Sequence, residues 1–364
     1  MQTRVVMLVD LDYFFAQIEE RRNPSIKDKP VVVCVYSGRT EESGVVSTAN
    51  YIARSYGVRS GMAIVLAKKK LKDTEAVFLP VDHGYYKEVS ERIMIVSRDN
   101  ADDFEQVGID EAYLDVSRRT EGDFEKATSL ARLVKDEIKA REGLTCSVGI
   151  APNKVVAKIA ADVNKPDGLT VVRPDEVMLF LSPLLVDRLI GVGKKTAERL
   201  EGLGIKTIGE LANHNVQKLI ECFGNSLGVY LHNASNGIDD EPVRERGEAE
   251  SISRIATLKE NTLNLGAIVE KTDQLCQDVY ERLVQRDLKF KSVGIVAVMK
   301  DLSIHTRSKT LENPTDEIRF LKEIVKELFE SFLEEAKVEV RRVGVRVSGL
   351  VKEKRVQKQL TSFY

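Results

Sequence analysis

Only four cysteines and four histidines occur in this chain of 364 residues, and their scarcity removes whole classes of chemistry. Cys34, Cys146, Cys222 and Cys276 are scattered with no close pair, which argues against a disulfide framework or a zinc site and for a reducing interior. The dispersed histidines argue equally against an imidazole-rich metal centre. A metal bound here would have to be held by carboxylates, which selects a hard ion such as Mg²⁺. Long apolar runs are also missing: none approaches the roughly 20 residues needed to span a bilayer. The opening MQTRVVMLVDLDYFF has acidic residues in its apolar run, so it reads as a strand rather than a cleavable signal. A membrane partner is therefore not expected, and the cytoplasm is the expected location. A strong charge of one sign is absent too. The net charge is −2, less basic than a nucleic-acid binder usually is, so local charge distribution has to decide that question.

What is present describes a globular chain, 43% hydrophobic and 31% charged, long enough for two to four units. Residues 4–9 and 30–36 read as buried strands, and a helix is expected from Tyr13 to Arg22 with Asp12 as its N-cap. Residues 45–57 and 62–71 read as helical, FLPVDHG as a loop, and Tyr85–Arg98 as a helix. Strands at 103–109 and 112–117 precede a helix at 123–141, a strand at 144–150 and a further helix from Asn153. From 173 to 236 short helical stretches with glycine punctuation take over. Residues 237–250 are polar and turn-prone and read as an exposed linker. Beyond them the order is strand, helix, two strands, helix, strand, the βαββαβ pattern of a small split sandwich.

The stretch GIDEAYLD, residues 108–115, sets Asp110 beside Glu111 in a strand-like run. Neighbours on a strand point to opposite faces, so one acid would enter the core unless the pair lies at a hairpin tip. Asp10 ends the N-terminal strand and could meet them there. Three carboxylates would repel one another without cations between them, and two divalent ions roughly 3.5–4 Å apart would relieve this while driving in-line phosphoryl transfer. The bland alternative is a solvated turn at 110–111 and a helix cap near Asp10. Spacing alone leaves the two readings balanced.

Four ordered motifs, VDLDYFFAQIEE, SGRTEESGVVSTANYIARSYGV, GIDEAYLD and SVGIAPNKVVAKIAADVNKPDGL, resemble signatures of the Y-family (DinB-like) translesion DNA polymerases, closest to the archaeal branch. The resemblance covers essentially the whole chain. It implies an α+β multidomain right hand: palm at 1–13 and 80–172, fingers at 14–79, a helical thumb at 173–236, a linker at 237–250, a little finger at 251–351 and a tail at 352–364. It implies two Mg²⁺ ions, with Mn²⁺ as a substitute, ligated by Asp10, Asp110, Glu111 and the Leu11 carbonyl, Glu111 serving the ion that activates the primer 3′-hydroxyl. Tyr13, Thr48, Arg54 and Lys165 match positions that hold the incoming dNTP, Tyr51 flanks it, and Phe15 matches an aromatic gate against the ribose 2′-hydroxyl. Asp12 stays structural. Gly108 departs from the usual serine, and residues 82–84 lack the basic side chains often found there.

Two DNA-binding features follow from the pattern. Leu189–Ile205 reads as a helix-hairpin-helix, with Gly191, Gly193 and Lys194 at a phosphate and Ile190 where relatives often carry proline. In the last module the bases Arg254, Lys289, Lys291, Lys300, Arg307, Lys309, Arg341, Arg342 and Arg346 fall on strand segments. Acids such as Glu270, Asp273, Glu327 and Glu335 fall on helices, so one sheet face is expected to be positive and to track a duplex backbone. The C-terminal Gln357-x-x-Leu360-x-x-Phe363-Tyr364 matches the spacing of a sliding-clamp-binding peptide. The expected function is template-directed DNA synthesis by a monomer on primer–template DNA, with low fidelity, low processivity and lesion bypass, and without a proofreading exonuclease. The competing expectations are a non-catalytic, clamp-associated DNA-damage binder and another palm-type two-metal transferase such as a nucleotide cyclase.

Overall fold

The computed structural model describes residues 3–245, 247 and 250–352. Buried β-branched runs nucleate its first sheet. Strand β1 (Val6–Leu11) is buried along its whole length and leads into helix α1 (Phe14–Arg22). Next come β2 (Val31–Tyr36), β3 (Gly44–Ala49), α2 (Tyr51–Ser55), α3 (Ile64–Lys70), β4 (Val77–Pro80) and α4 (His83–Asp99). The hairpin β5 (Asp103–Gln106) and β6 (Glu111–Asp115) precedes α5 (Phe124–Glu142), β7 (Cys146–Ala151), α6 (Lys154–Val163) and β8 (Leu169–Val171). The main sheet runs β5-β6-β1-β7-β8, with β1 central, and a second, three-stranded sheet runs β3-β2-β4.

A helical region follows: α7 (Val177–Leu181), α8 (Lys194–Gly202), α9 (Ile208–Ala212), α10 (Val216–Phe223) and α11 (Asn225–Ser235). The last module is β9 (Ser251–Thr262), α12 (Leu265–Gln285), β10 (Leu288–Met299), β11 (Ile304–Thr315), α13 (Ile318–Glu335), β12 (Val340–Ser348) and β13 (Val351–Lys352). It has the expected βαββαβ order plus a short β13 paired with β10, in a sheet ordered β11-β10-β12-β9. Its core stands on one face, where Val343, Val345 and Val347 are fully buried with helix residues such as Cys276, Val279 and Phe329. The chain divides into two compact units. One holds the residues to Cys34, Val46–Met62 and those from Leu66 into the polar segment; the other holds Val35–Val45, Ala63–Val65 and those from Gly247 on. Among the described residues, no helix is long and apolar enough to cross a membrane.

Four local expectations need correction. Residues 44–49 form strand β3 instead of the start of a helix, because Val45, Val46 and Thr48 suit a pleated edge. Helix α2 starts only at Tyr51, where the Asn50 side chain accepts from Ala53 N. Residues 78–80, expected as loop, belong to β4, which pairs in parallel with Val31–Cys34. Asp12 does not cap α1: Tyr13 occupies the N-cap position at φ 34 with no side-chain cap bond. The polar stretch expected to be an exposed linker is tied down at its start. Asn153 Nδ2 donates to Gly237 O (2.7 Å), Arg4 donates to the carbonyls of Asp239 (3.2 Å) and Glu241 (2.5 Å), and Val243 is buried.

Candidate active site

The antiparallel register of β1 against β6 pairs Asp10 directly with Glu111. Residues opposed in this way have Cα atoms roughly 4.5–5.5 Å apart. Asp110 lies in the turn before β6, and its carbonyl accepts from Leu11 N at 2.9 Å. The three acids therefore meet at one rim of the main sheet. Val107 N and Gly108 N both donate to Glu111 O (3.1 and 3.2 Å), and Ser90 Oγ of α4 donates to Ile109 O (2.5 Å), so the turn is held from both sides. A Cβ at Gly108 would stand 3.0 Å from Glu111 Cγ and 3.1 Å from Asp110 Oδ1, so glycine leaves these acids their room.

Helix α6 brings the cations. It packs so closely on β7 that a Cβ at Gly149 would lie 2.1 Å from Ala157 O. This approach places Lys158 over the rim, where Nζ donates to Asp10 Oδ2 at 2.7 Å and also to Glu111 Oε2. Lys165 Nζ reaches Asp10 Oδ1 and Asp162 Oδ1 at 2.7 and 2.8 Å. Asp12 organises the supporting layer: its carboxylate accepts from Thr145 Oγ1 (2.8 Å), Ser147 Oγ (2.7 Å) and Asp167 N (2.8 Å). The last of these bonds fixes the turn that follows Lys165.

Burial alone would raise the Asp10 carboxyl, but Lys158 and Lys165 outweigh it and hold the group below the usual carboxylate range. Asp110 goes the other way: burial first, then the charges of Asp10 and Glu111, push it up. For Lys158, burial opposes the charged form, yet Asp10 and Glu111 raise it above an ordinary lysine. Among the described residues no lysine or arginine forms an ion pair with Asp110, and no three acidic, histidine or cysteine side chains stand ready to chelate an ion as they are. Lysine ammoniums instead take up both oxygens of Asp10. The donor set is all oxygen and includes one half-buried carboxyl, Asp110, with no cation paired to it among the described residues, which suits a hard divalent cation that Asp10, Asp110, Glu111 and the Leu11 carbonyl would hold.

Of the expected nucleotide-contact residues, Lys165 meets Asp10 at this rim, and Tyr13, Tyr51 and Arg54 contact one another. The rings of Tyr13 and Tyr51 meet edge to face at 5.3 Å, and the Arg54 guanidinium lies 5.0 Å over Tyr51. Tyr13 OH donates to Glu20, and burial together with that carboxylate raises its phenol. Thr48 is half-buried on β3. Phe15 is half-buried and stacks on Tyr86 at 4.4 Å, whereas Phe14 is in the core, as expected. Lys158 was not singled out from the sequence. Its signal was there in KVVAKIAA: two lysines four apart on an otherwise apolar helix, which is costly unless both meet carboxylates. Lys154 does so, 2.8 Å from buried Glu105.

The helical region presents Gly191 at φ +80 and Gly193 as the residue before α8, with Lys194 opening the helix. In the last module, charge counting placed some bases on the wrong face. Arg254 pairs with Val345, and Arg307 and Lys309 pair with Ile295 and Val293, so all three stand on the helix side with the core valines. Arg307 and Lys309 meet Glu335 (2.9 Å) and Glu327 (2.7 Å) of α13. Arg342 and Arg346 pair with Thr257 and Ser253 on the outer face, and Arg341 sits at the bulge beside Val340. Over the continuous register 253–257, 292–298, 304–310 and 342–348 that outer face carries no acidic residue. Gln357, Leu360, Phe363 and Tyr364 lie outside the described residues.

Residues 9–162 match the impB/mucB/samB family, residues 249–360 its C-terminal domain, and residues 187–239 a DNA polymerase-iota thumb domain. The chain is 47% identical to "DNA polymerase IV" of Nitrosopumilus maritimus over 365 aligned residues, covering 100% of both chains. It is 48% identical to "DNA polymerase IV" of Methanosarcina acetivorans, covering 97% of this chain and 98% of the other. Among solved structures, the "Y-family DNA polymerase chimera Dbh-Dpo4(243-245)-Dbh" aligns with a TM-score of 0.90 at 38% identity, covering 96% of this chain and 99% of that one. The "Insertion ternary complex of Dbh DNA polymerase" aligns at 0.69 with 38% identity and the same coverage.

Proposed function

The chain belongs to the Y-family DNA polymerases, of the DNA polymerase IV kind, and is a DNA-directed DNA polymerase; from that premise we propose that it extends a primer from dNTPs at the rim formed by Asp10, Asp110 and Glu111, with low fidelity and past damaged bases. The observation that carries this reading is the direct pairing of Asp10 with Glu111, with Asp110 in the adjoining turn. When bound there, two Mg²⁺ ions would activate the 3′-hydroxyl and offset charge on the triphosphate and leaving oxygen.

The chain's own residues supply the rest. Lys165 and Arg54 bring cations to phosphate oxygens, and Tyr13 and Thr48 bring hydroxyl donors. Tyr51, gripped between Tyr13 and Arg54, flanks the nucleotide. Phe15, braced by its stack on Tyr86, closes the space a 2′-hydroxyl would need. Primer–template DNA would lie against Gly191, Gly193 and Lys194 and along the acid-free face bearing Arg342 and Arg346, with Arg341 at its margin. The ternary complex solved for the related Dbh polymerase supports DNA and nucleotide as partners. We assign residues 1–13 and 80–172 to a palm, 14–79 to fingers, 173–236 to a thumb and 251–351 to a little finger. Fingers this short give little closure around the base pair, hence low selectivity, low processivity and tolerance of lesions, with no segment assigned to proofreading. The C-terminal peptide would recruit a sliding clamp to the monomer.

Single-nucleotide extension on undamaged and abasic templates tests the reading. Frequent misincorporation and passage of the abasic site are expected; accurate synthesis that stalls completely at the lesion contradicts it.

A further inference from the structure

Lys158 has no role in the reaction as set out above, yet its ammonium closes the acidic rim. It joins Asp10 on β1 to Glu111 on β6, while Lys165 takes the other oxygen of Asp10. The two lysines are not equivalent. Lys165 has a second carboxylate partner in Asp162, outside the triad, whereas the ion pairs of Lys158 among the described residues are to Asp10 and Glu111 alone. Its backbone is also fixed, because Lys154 one turn earlier is locked to buried Glu105 and α6 is pressed onto β7 at Gly149. A rigid helix thus points a single positive charge, on a long flexible stem, at two of the three acids.

Resting on the two-ion reading, we propose that Lys158 is a positioning residue. It is a resident counter-ion that holds Asp10 and Glu111 together before metal binds, and that divalent cations must displace, so it sets the cation concentration at which the site loads. The consequence is ordinary competition. A cation that reaches Asp10 Oδ2 and Glu111 Oε2 has to break both bonds to Nζ and overcome the repulsion of the ammonium until it swings away. Without that charge the acids repel one another but bind a divalent ion more tightly. With it they stay aligned, at a cost in affinity.

The test is Mn²⁺ binding to the DNA-free protein, read as free Mn²⁺ by electron paramagnetic resonance. An opposite charge at this range moves a carboxylate's proton affinity by roughly 1–3 units, so Lys158→Met should tighten Mn²⁺ binding by about tenfold. Lys158→Arg, which keeps the charge, should stay within about threefold of the parent on the same ground. Unchanged or weaker binding by Lys158→Met overturns the proposal. Asp110→Asn separates this from failure of the underlying reading: if it binds Mn²⁺ as well as the parent, the metal site itself is wrong. Should Lys158→Met not fold, NMR of isotope-labelled lysines in the unmutated protein decides. The Lys158 side-chain resonance moves on Mg²⁺ addition if the ammonium is displaced, and a resonance that stays put overturns the proposal.

Discussion

Replacing Asp12 by alanine separates a tertiary role for this residue from a local helix cap. The residue is 1% exposed, and its carboxylate accepts from Thr145 Oγ1, Ser147 Oγ and Asp167 N at 2.7–2.8 Å. Hydrogen bonds to a charged group contribute about 1.5–3 kcal/mol each, but the two hydroxyls can rotate toward other acceptors, and the penalty for burying the charge disappears with it. The Asp167 amide cannot turn away. The net expected loss is about 2–4 kcal/mol, at the high end of single substitutions. Equilibrium urea unfolding measures it, using the first transition, since a chain of two units need not unfold in one step. Serine is the discriminating substitution. An N-cap tolerates Ser in place of Asp at almost no cost, whereas serine is too short to meet three donors spread over Thr145, Ser147 of β7 and the 165–168 turn. Asp12→Ser should therefore lose nearly as much as Asp12→Ala. A serine variant as stable as the parent, or an alanine variant within about 0.5 kcal/mol of it, refutes the reasoning.

Three other outcomes are expected. Gly149→Ala drives a Cβ into Ala157 O and Ala161 N, 2.1 and 2.4 Å away across backbone, and should cost at least about 3 kcal/mol in urea unfolding. Glu142 accepts from Arg92 and Arg21, and these pairs hold its carboxyl below the ordinary value of 4.5 despite burial. Its contribution is therefore full above that pH and fades as pH falls through the lowered folded value. Glu142→Gln should be less stable than the parent by about 1–3 kcal/mol at pH 7, with the gap narrowing below pH 4.5; a gap that persists in acid contradicts the ion pairs. Phe15→Ala should raise ribonucleotide incorporation in primer extension, and no change removes its assignment as the gate.

The convergence of Asp10 and Glu111 was only half legible: spacing left it balanced against a solvated turn, and the resemblance of four ordered motifs tipped it. Asp110 lies in the turn as expected, but Asp10 and Glu111 lie within β1 and β6, and Asp10 is buried there because lysines meet its carboxylate. The βαββαβ order was readable, since its strands and helices are long and their periods differ. What escaped had tertiary causes. Asp12 stands where a cap would stand, but donors more than 100 residues away claim it. Val45–Ala49 is too short a run for periodicity to separate strand from helix, and a neighbouring strand decided. Counting bases on strands located charge but not face: Arg254, Arg307 and Lys309 share the side of Val345, Ile295 and Val293, a consequence of register that no single strand reveals. The 237–243 stretch is polar as linkers are, yet Arg4 and Asn153 find its carbonyls. Lys158 was hidden because a lysine on a helix is usually solvated, and only the close seat of α6 at Gly149 turns it toward the acids.

Asp110→Asn, assayed for primer extension and for primer–template binding in the same preparation, bears most directly on the shared action of these three acids. The substitution keeps the shape of the side chain and removes one charge from the rim. Extension should fall by at least about a thousandfold, the scale on which removing an essential catalytic group acts, with DNA affinity within about threefold of the parent. Extension at near-parent rates with an asparagine at this position would place the chemistry elsewhere in the molecule.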